Sequence, residues 1–118
     1  MITQLNKVEL IGTVGCCRVQ TTGGKRKADI ALATNRAYKD ADGNAVIETT
    51  WHKCTAFEGP YIQDIDRISK GTTLHLFGRI HRQCYINESG ERRDTVEIIV
   101  SRLEVLDPET AVKYETNE

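Results

Sequence analysis

The stretch "TTWHKCTAF", Thr49 to Phe57, holds the only tryptophan of the chain. It reads as a β-strand: Thr, Trp, Cys and Phe suit a pleated surface, and neither Gly nor Pro interrupts them. Side chains alternate between the two faces of a strand. Thr49, Trp51, Lys53, Thr55 and Phe57 therefore share one face, and Thr50, His52, Cys54 and Ala56 share the other. A core face has little use for the lysine. An ordinary solvent face has little use for two large rings.

The flanking segments carry the same strand signals. Leu5 to Val14 alternates, with Val8 and Leu10 on one face, and Gly12 and Gly15 mark a bend or exit. Lys27 to Thr34 repeats the pattern with Ala28, Ile30 and Leu32. The Asp42-Gly43 turn leads into a third strand, Val46 to Phe57. Thr72 to Tyr85 is a fourth, with Gly78 marking a bulge or sharp coil, and Ser89-Gly90 turns it into a fifth, Asp94 to Leu106. Only "GPYIQDIDRISKG" (59–71) differs. Pro60 suits a first helical position, Tyr61, Ile65 and Ile68 recur at i, i+4 and i+7, and Gly71 suits the C-terminal cap. The expected class is all-β with one short helix: a five-stranded OB-fold barrel with the helix between strands three and four. Closing the sheet removes its exposed edges.

A length of 118 residues suits one domain, here residues 1–107, followed by a short polar tail, 108–118. The formal net charge is −1, so no global basic field advertises a polyanionic partner. The charge is uneven, however. Residues 103–118 carry a net charge of −4, and residues 18–39 hold Arg18, Lys25, Arg26, Lys27, Arg36 and Lys39 against Asp29 alone. No apolar run is long enough to span a membrane and no leader pattern opens the chain, so no membrane partner and a cytoplasmic, nucleoid-associated location are expected. Cys16, Cys17, Cys54 and Cys84 form no CxxC pair and read as reduced thiols.

Catalytic and cofactor readings find little support. "TTGGKRK" (21–27) lacks the spacing of a phosphate loop and reads as a basic hairpin, although Lys25, Arg26 and Lys27 could hold a nucleic-acid backbone. His52 with Cys54 and His81 with Cys84 do not match the paired spacing of structural zinc. Asp64 and Asp66, two apart on the expected helix, do not face each other, and no residue is placed to activate Cys16 or Cys17. No cofactor, no metal and no enzymatic activity are expected.

The aromatic residues are more informative. Trp51 and Phe57 flank Lys53, Tyr38 lies between Arg36 and Lys39, and Tyr85 follows Arg82. Alternation also aligns Arg79, His81, Gln83 and Tyr85. Any one of these rings is as readily core as surface. Together, interleaved with cations, they suit a single-stranded nucleic acid, whose unpaired bases stack on rings while Lys and Arg neutralise its phosphates. A duplex hides its base faces and gains little from such a platform.

"NKVELIGTVG" (6–15), "IALATNRAYKD" (30–40), "TTWHKCTAFEG" (49–59) and "SKGTTLHLFGRI" (69–80) resemble the DNA-binding domain of bacterial single-stranded DNA-binding proteins. The blocks match in order from about Asn6 to Leu106. The resemblance implies an OB-fold that binds single-stranded DNA in replication, recombination and repair, as a homotetramer or a dimer. It puts the base-stacking rings at Tyr38, Trp51, Phe57 and Tyr85, with tyrosines at 38 and 85 where the family often has tryptophan. Arg36, Lys39, Lys53, Arg79 and Arg82 are then the expected phosphate contacts. Strand one, with Lys7 and Glu9, resembles the segment that pairs two subunits, and His52 matches a position near subunit contacts. The loop "CCRVQTTGGKRKAD" is shorter than is common in the family. The family's long tail with its acidic tip, which recruits replication and repair proteins, has no counterpart before "VKYETNE". That departure keeps a second expectation open: an OB-fold adaptor of a primosome or mobile element that mainly docks proteins.

Overall fold

A computed structural model describes residues 3–62 and 65–106. Five strands, β1 (Val8–Thr22), β2 (Lys25–Lys39), β3 (Ala45–Phe57), β4 (Thr73–Ile86) and β5 (Arg92–Leu106), close into one barrel in the order β1-β2-β3-β5-β4. β3 and β5 run parallel and every other pair is antiparallel. This is the OB-fold arrangement expected from the strand order. The expected tail, 108–118, and Asp64 lie outside the described residues.

Alternation builds the core. Ala28, Ile30 and Leu32 of β2, Cys54 and Ala56 of β3, Leu74 and Leu76 of β4 and Ile98 and Val100 of β5 all point inward. Complete burial pushes the Cys54 thiol up to about 11. Two glycines allow strands to approach where the barrel coils. A Cβ on Gly12 would collide with the Ala33 carbonyl, and one on Gly78 with the Ile99 carbonyl. The register slips between Phe77 and Gly78, the bulge expected at that glycine.

Two elements differ from expectation. β1 does not leave the sheet at Gly15. A register shift between Val14 and Cys16 absorbs Gly15 as one extra residue, and the strand runs on to Thr22. The expected loop after strand one is therefore the end of a long hairpin, turned by Gly23 and Gly24 at φ 59° and 82°. Successive positive φ values suit a two-residue turn whose twist matches its strands.

The expected helix over 59–71 is also absent from the described residues, where a single 3₁₀ turn, Ile65–Arg67, takes its place. Tyr61 is exposed, while Ile62, Ile65 and Ile68 are buried. The apolar residues thus recur every three residues rather than every three to four, the period of a 3₁₀ turn. The segment closes one end of the barrel. Gly71 donates to the Val14 carbonyl (2.8 Å), and Leu103 donates to the Tyr61 carbonyl (3.2 Å).

Candidate nucleic-acid interface

The outer face of the β1-β2-β3 sheet carries the aromatic-cationic pattern. Trp51 is 60% exposed, Phe57 46%, and both lie on the face opposite the buried Cys54 and Ala56. Lys53 lies between them and is exposed; Thr55 is buried. The Thr55 hydroxyl donates to Glu97 Oε2 at 3.0 Å, which ties this face of β3 to β5. Across the β2–β3 register, Ala33 pairs with Trp51 and Ala31 with Lys53, so small side chains keep the floor beside the ring low.

An open groove of about 600 Å³ lies on this face. Its lining includes Trp51 and Lys53 from β3, Cys16 and Arg18 from β1, Lys27, Asp29 and Ala31 from β2, and Gln83 and Glu97 from the β4–β5 hairpin. Three cations therefore meet two carboxylates. The carboxylates are engaged: Asp29 lies 3.8 Å from Lys27, while Glu97 holds Thr55 and lies 3.5 Å from His81 Nδ1. The balance left for a ligand is positive, and one wall is an indole. Such a groove takes a flat ring with an anionic linker.

The expected contact residues divide between two faces. Register parity puts Lys39, Trp51, Lys53 and Phe57 on the outer face of β2–β3. Arg79 and Tyr85 share their face of β4 with Gln83, which lines the groove. Tyr38 lies five residues from Ala33 without a slip in register, so it faces the other way from Trp51. Arg36 goes with it, its guanidinium 5.7 Å from the Tyr38 ring centre. Arg82 is also on the opposite face from Tyr85, 3.1 Å from Asp94 Oδ2. Arg26 of the basic hairpin ion-pairs with Glu58 and Asp66, fastening β2 to the end of β3 and the 3₁₀ turn.

Sequence reading missed Arg18, Asp29, Gln83 and Glu97 as groove residues. Arg18 had a signal, since it belongs to the basic stretch 18–39. Gln83 and Asp29 had weaker signals, the one aligned with Arg79 and Tyr85 and the other alternating with Ala28 and Ile30, whereas Glu97 had none, because only barrel closure brings β5 to this face.

The expected subunit-contact residues are also separated. Lys7 and Glu9 stand at the head of β1 beside β4, where Glu9 Oε2 lies 2.7 Å from His75 Nε2. His52 is on β3 opposite Leu32, 2.9 Å from the Thr34 hydroxyl, and burial lowers its pKa. β1 pairs with β4 over Val8–Thr13, but its pairing with β2 begins only at Thr13. One edge of Val8 to Gly12 is therefore left without a strand neighbour among the described residues. Among those residues no group of three or more His, Cys, Asp or Glu could hold a metal ion.

Known proteins match this arrangement. A single-stranded DNA-binding protein of Rickettsia felis is 33% identical over 104 residues, covering 85% of this chain and 68% of its own length. One from Bacteroides thetaiotaomicron is 34% identical over 112 residues, covering 91% and 69%. Among solved structures, the Plasmodium falciparum SSB in complex with ssDNA superposes with a TM-score of 0.78 at 29% identity, covering 91% of this chain and 99% of that one. The profile of the single-strand binding protein family matches residues 5–106, and the chain belongs to that family.

Proposed function

We propose that this chain binds single-stranded DNA with little sequence preference, as a binding protein rather than an enzyme. One observation carries the reading: an exposed indole at Trp51 beside Lys53, on the wall of a groove that also holds Arg18 and Lys27. Bases stack on Trp51, with Phe57 and Tyr85 as further platforms, and the cations take the phosphates. Stacking needs an unpaired base, so the protein captures open strands and leaves duplexes alone. That selectivity suits protection of exposed strands during replication, recombination and repair. The solved Plasmodium falciparum relative, which holds ssDNA, supports the same reading.

Two features support assembly of copies. The open edge of Val8 to Gly12 offers unpaired backbone groups to a second strand. On the β4–β5 hairpin, Ile80, Ile86 and Val96 are exposed apolar side chains. A dimer built on the first surface and joined through the second makes a homotetramer.

Substitution at the groove tests the binding mode. Trp51→Ala is expected to weaken oligo-dT binding by about 1–3 kcal/mol, roughly 5- to 150-fold, if one base is lost from its stack. Lys53→Ala is expected to lower the slope of log K against log salt by about 0.7, the share of one phosphate on a single strand. Unchanged affinity in the first variant and an unchanged salt slope in the second would reject the groove as the binding surface.

A further inference from the structure

Trp51 is 60% exposed, and the Cζ3–Cη2 edge of its indole abuts Gly15. A Cβ built on Gly15 would fall 2.6 Å from Trp51 Cη2 and closer still to Cζ3, well inside contact distance. Gly15 is not among the glycines of positive φ, so its backbone conformation does not call for glycine. It is the extra residue of the β1 bulge, between Val14, which pairs with Leu32, and Cys16, which pairs with Ala31. The inserted residue turns bare backbone to the outer face beside the ring. Val14 stays in the core, and Cys16 lines the groove.

We infer that Gly15 is a positioning residue for nucleic-acid binding. The β1 bulge presents a side-chain-free seat that receives the Cζ3–Cη2 edge of the Trp51 indole and so sets the orientation in which the ring meets a base. The inference rests on the reading of Trp51 as a stacking platform and adds to it the element that sets the platform. A seated ring has lost most of its rotamer freedom before the ligand arrives, so the complex does not bear that ordering cost again. The seat also accounts for a bulge at this point. Without the inserted residue, alternation would put either a core side chain or a Cβ where the ring lies.

The experiment is a double-mutant cycle read with oligo-dT. Gly15→Ala is expected to weaken binding by about 2- to 10-fold, the loss of one pre-ordered side chain. In the Trp51→Phe background, whose shorter ring does not reach the seat, the same change is expected to have no effect. An equal loss in both backgrounds would overturn the inference, because Gly15 would then act without Trp51. If Trp51→Ala leaves affinity unchanged, the stacking reading itself falls. If Trp51→Ala weakens binding and Gly15→Ala does not, only the seat falls.

The unaltered protein supplies a second measurement, since Trp51 is its only tryptophan. Time-resolved anisotropy of the free protein is expected to lack a fast component of large amplitude. A freely rotating indole would overturn the seat, whether or not Gly15→Ala folds.

Discussion

Within β3, neighbouring residues have opposite duties. Trp51 and Lys53 face the groove, while Cys54 packs fully buried against the other strands. The same contrast decides thiol chemistry. The thiolate is the reactive form, and burial pushes the Cys54 thiol up to about 11. Cys16 and Cys84 are exposed. Cys17 is half-buried, with its pKa raised by burial first and by Cys16 and Asp29 after it. Iodoacetamide at pH 8 is therefore expected to label Cys16 and Cys84 in the folded protein and to reach Cys54 only after denaturant is added. Peptide mapping that finds Cys54 labelled as fast as Cys16 in the folded state would contradict this core. The outer face of β3 was legible because a period of two needs no knowledge of neighbouring strands. Arg82 follows from the same alternation, three residues from Tyr85, but the facing of Arg36 and Tyr38 was not legible, because strand two was read only to Thr34 and runs on to Lys39. Glu97 carries no mark in the sequence of its place in the groove.

At the scale of elements, glycine decided what could be read. At Gly78 the expected bulge is present. At Gly15 the same residue type marked a bend or an exit from the sheet, because a bulge and a strand end present the same local signal, and the bend is the one present. Pairing with β2 beyond the slip carries β1 on to Thr22. The 59–71 segment misled for a different reason. Tyr61 imitates a helical period, while the residues that enter the core are Ile62, Ile65 and Ile68. The half-paired stretch of β1, Val8 to Gly12, bears on assembly. If it pairs with its copy, sedimentation equilibrium at micromolar concentration is expected to give two or four times the chain mass of 13.3 kDa. A mass of one chain at that concentration would contradict pairing through this edge.

For the whole molecule, net charge is a poor guide to its ligand. A formal charge of −1 over 118 residues conceals a groove in which Arg18, Lys27 and Lys53 outnumber two carboxylates, Asp29, which pairs with Lys27, and Glu97, which holds Thr55. Pairing within the β1-β2-β3 sheet concentrates the positive charge, bringing Arg18, Lys27 and Lys53 from three strands into one groove with the indole. Local rather than net charge sets phosphate neutralisation, so binding should depend on salt despite an acidic balance overall. The central claim is that an unpaired base stacks on Trp51, and the chain's lone tryptophan reports on it directly. The measurement is a titration with oligo-dT at low and high salt, following Trp51 fluorescence, with a duplex of equal length as control. Strong quenching by oligo-dT, weakened by salt and absent with the duplex, is the expected result. Fluorescence that oligo-dT leaves unchanged at low salt, or that the duplex quenches equally, would contradict the account.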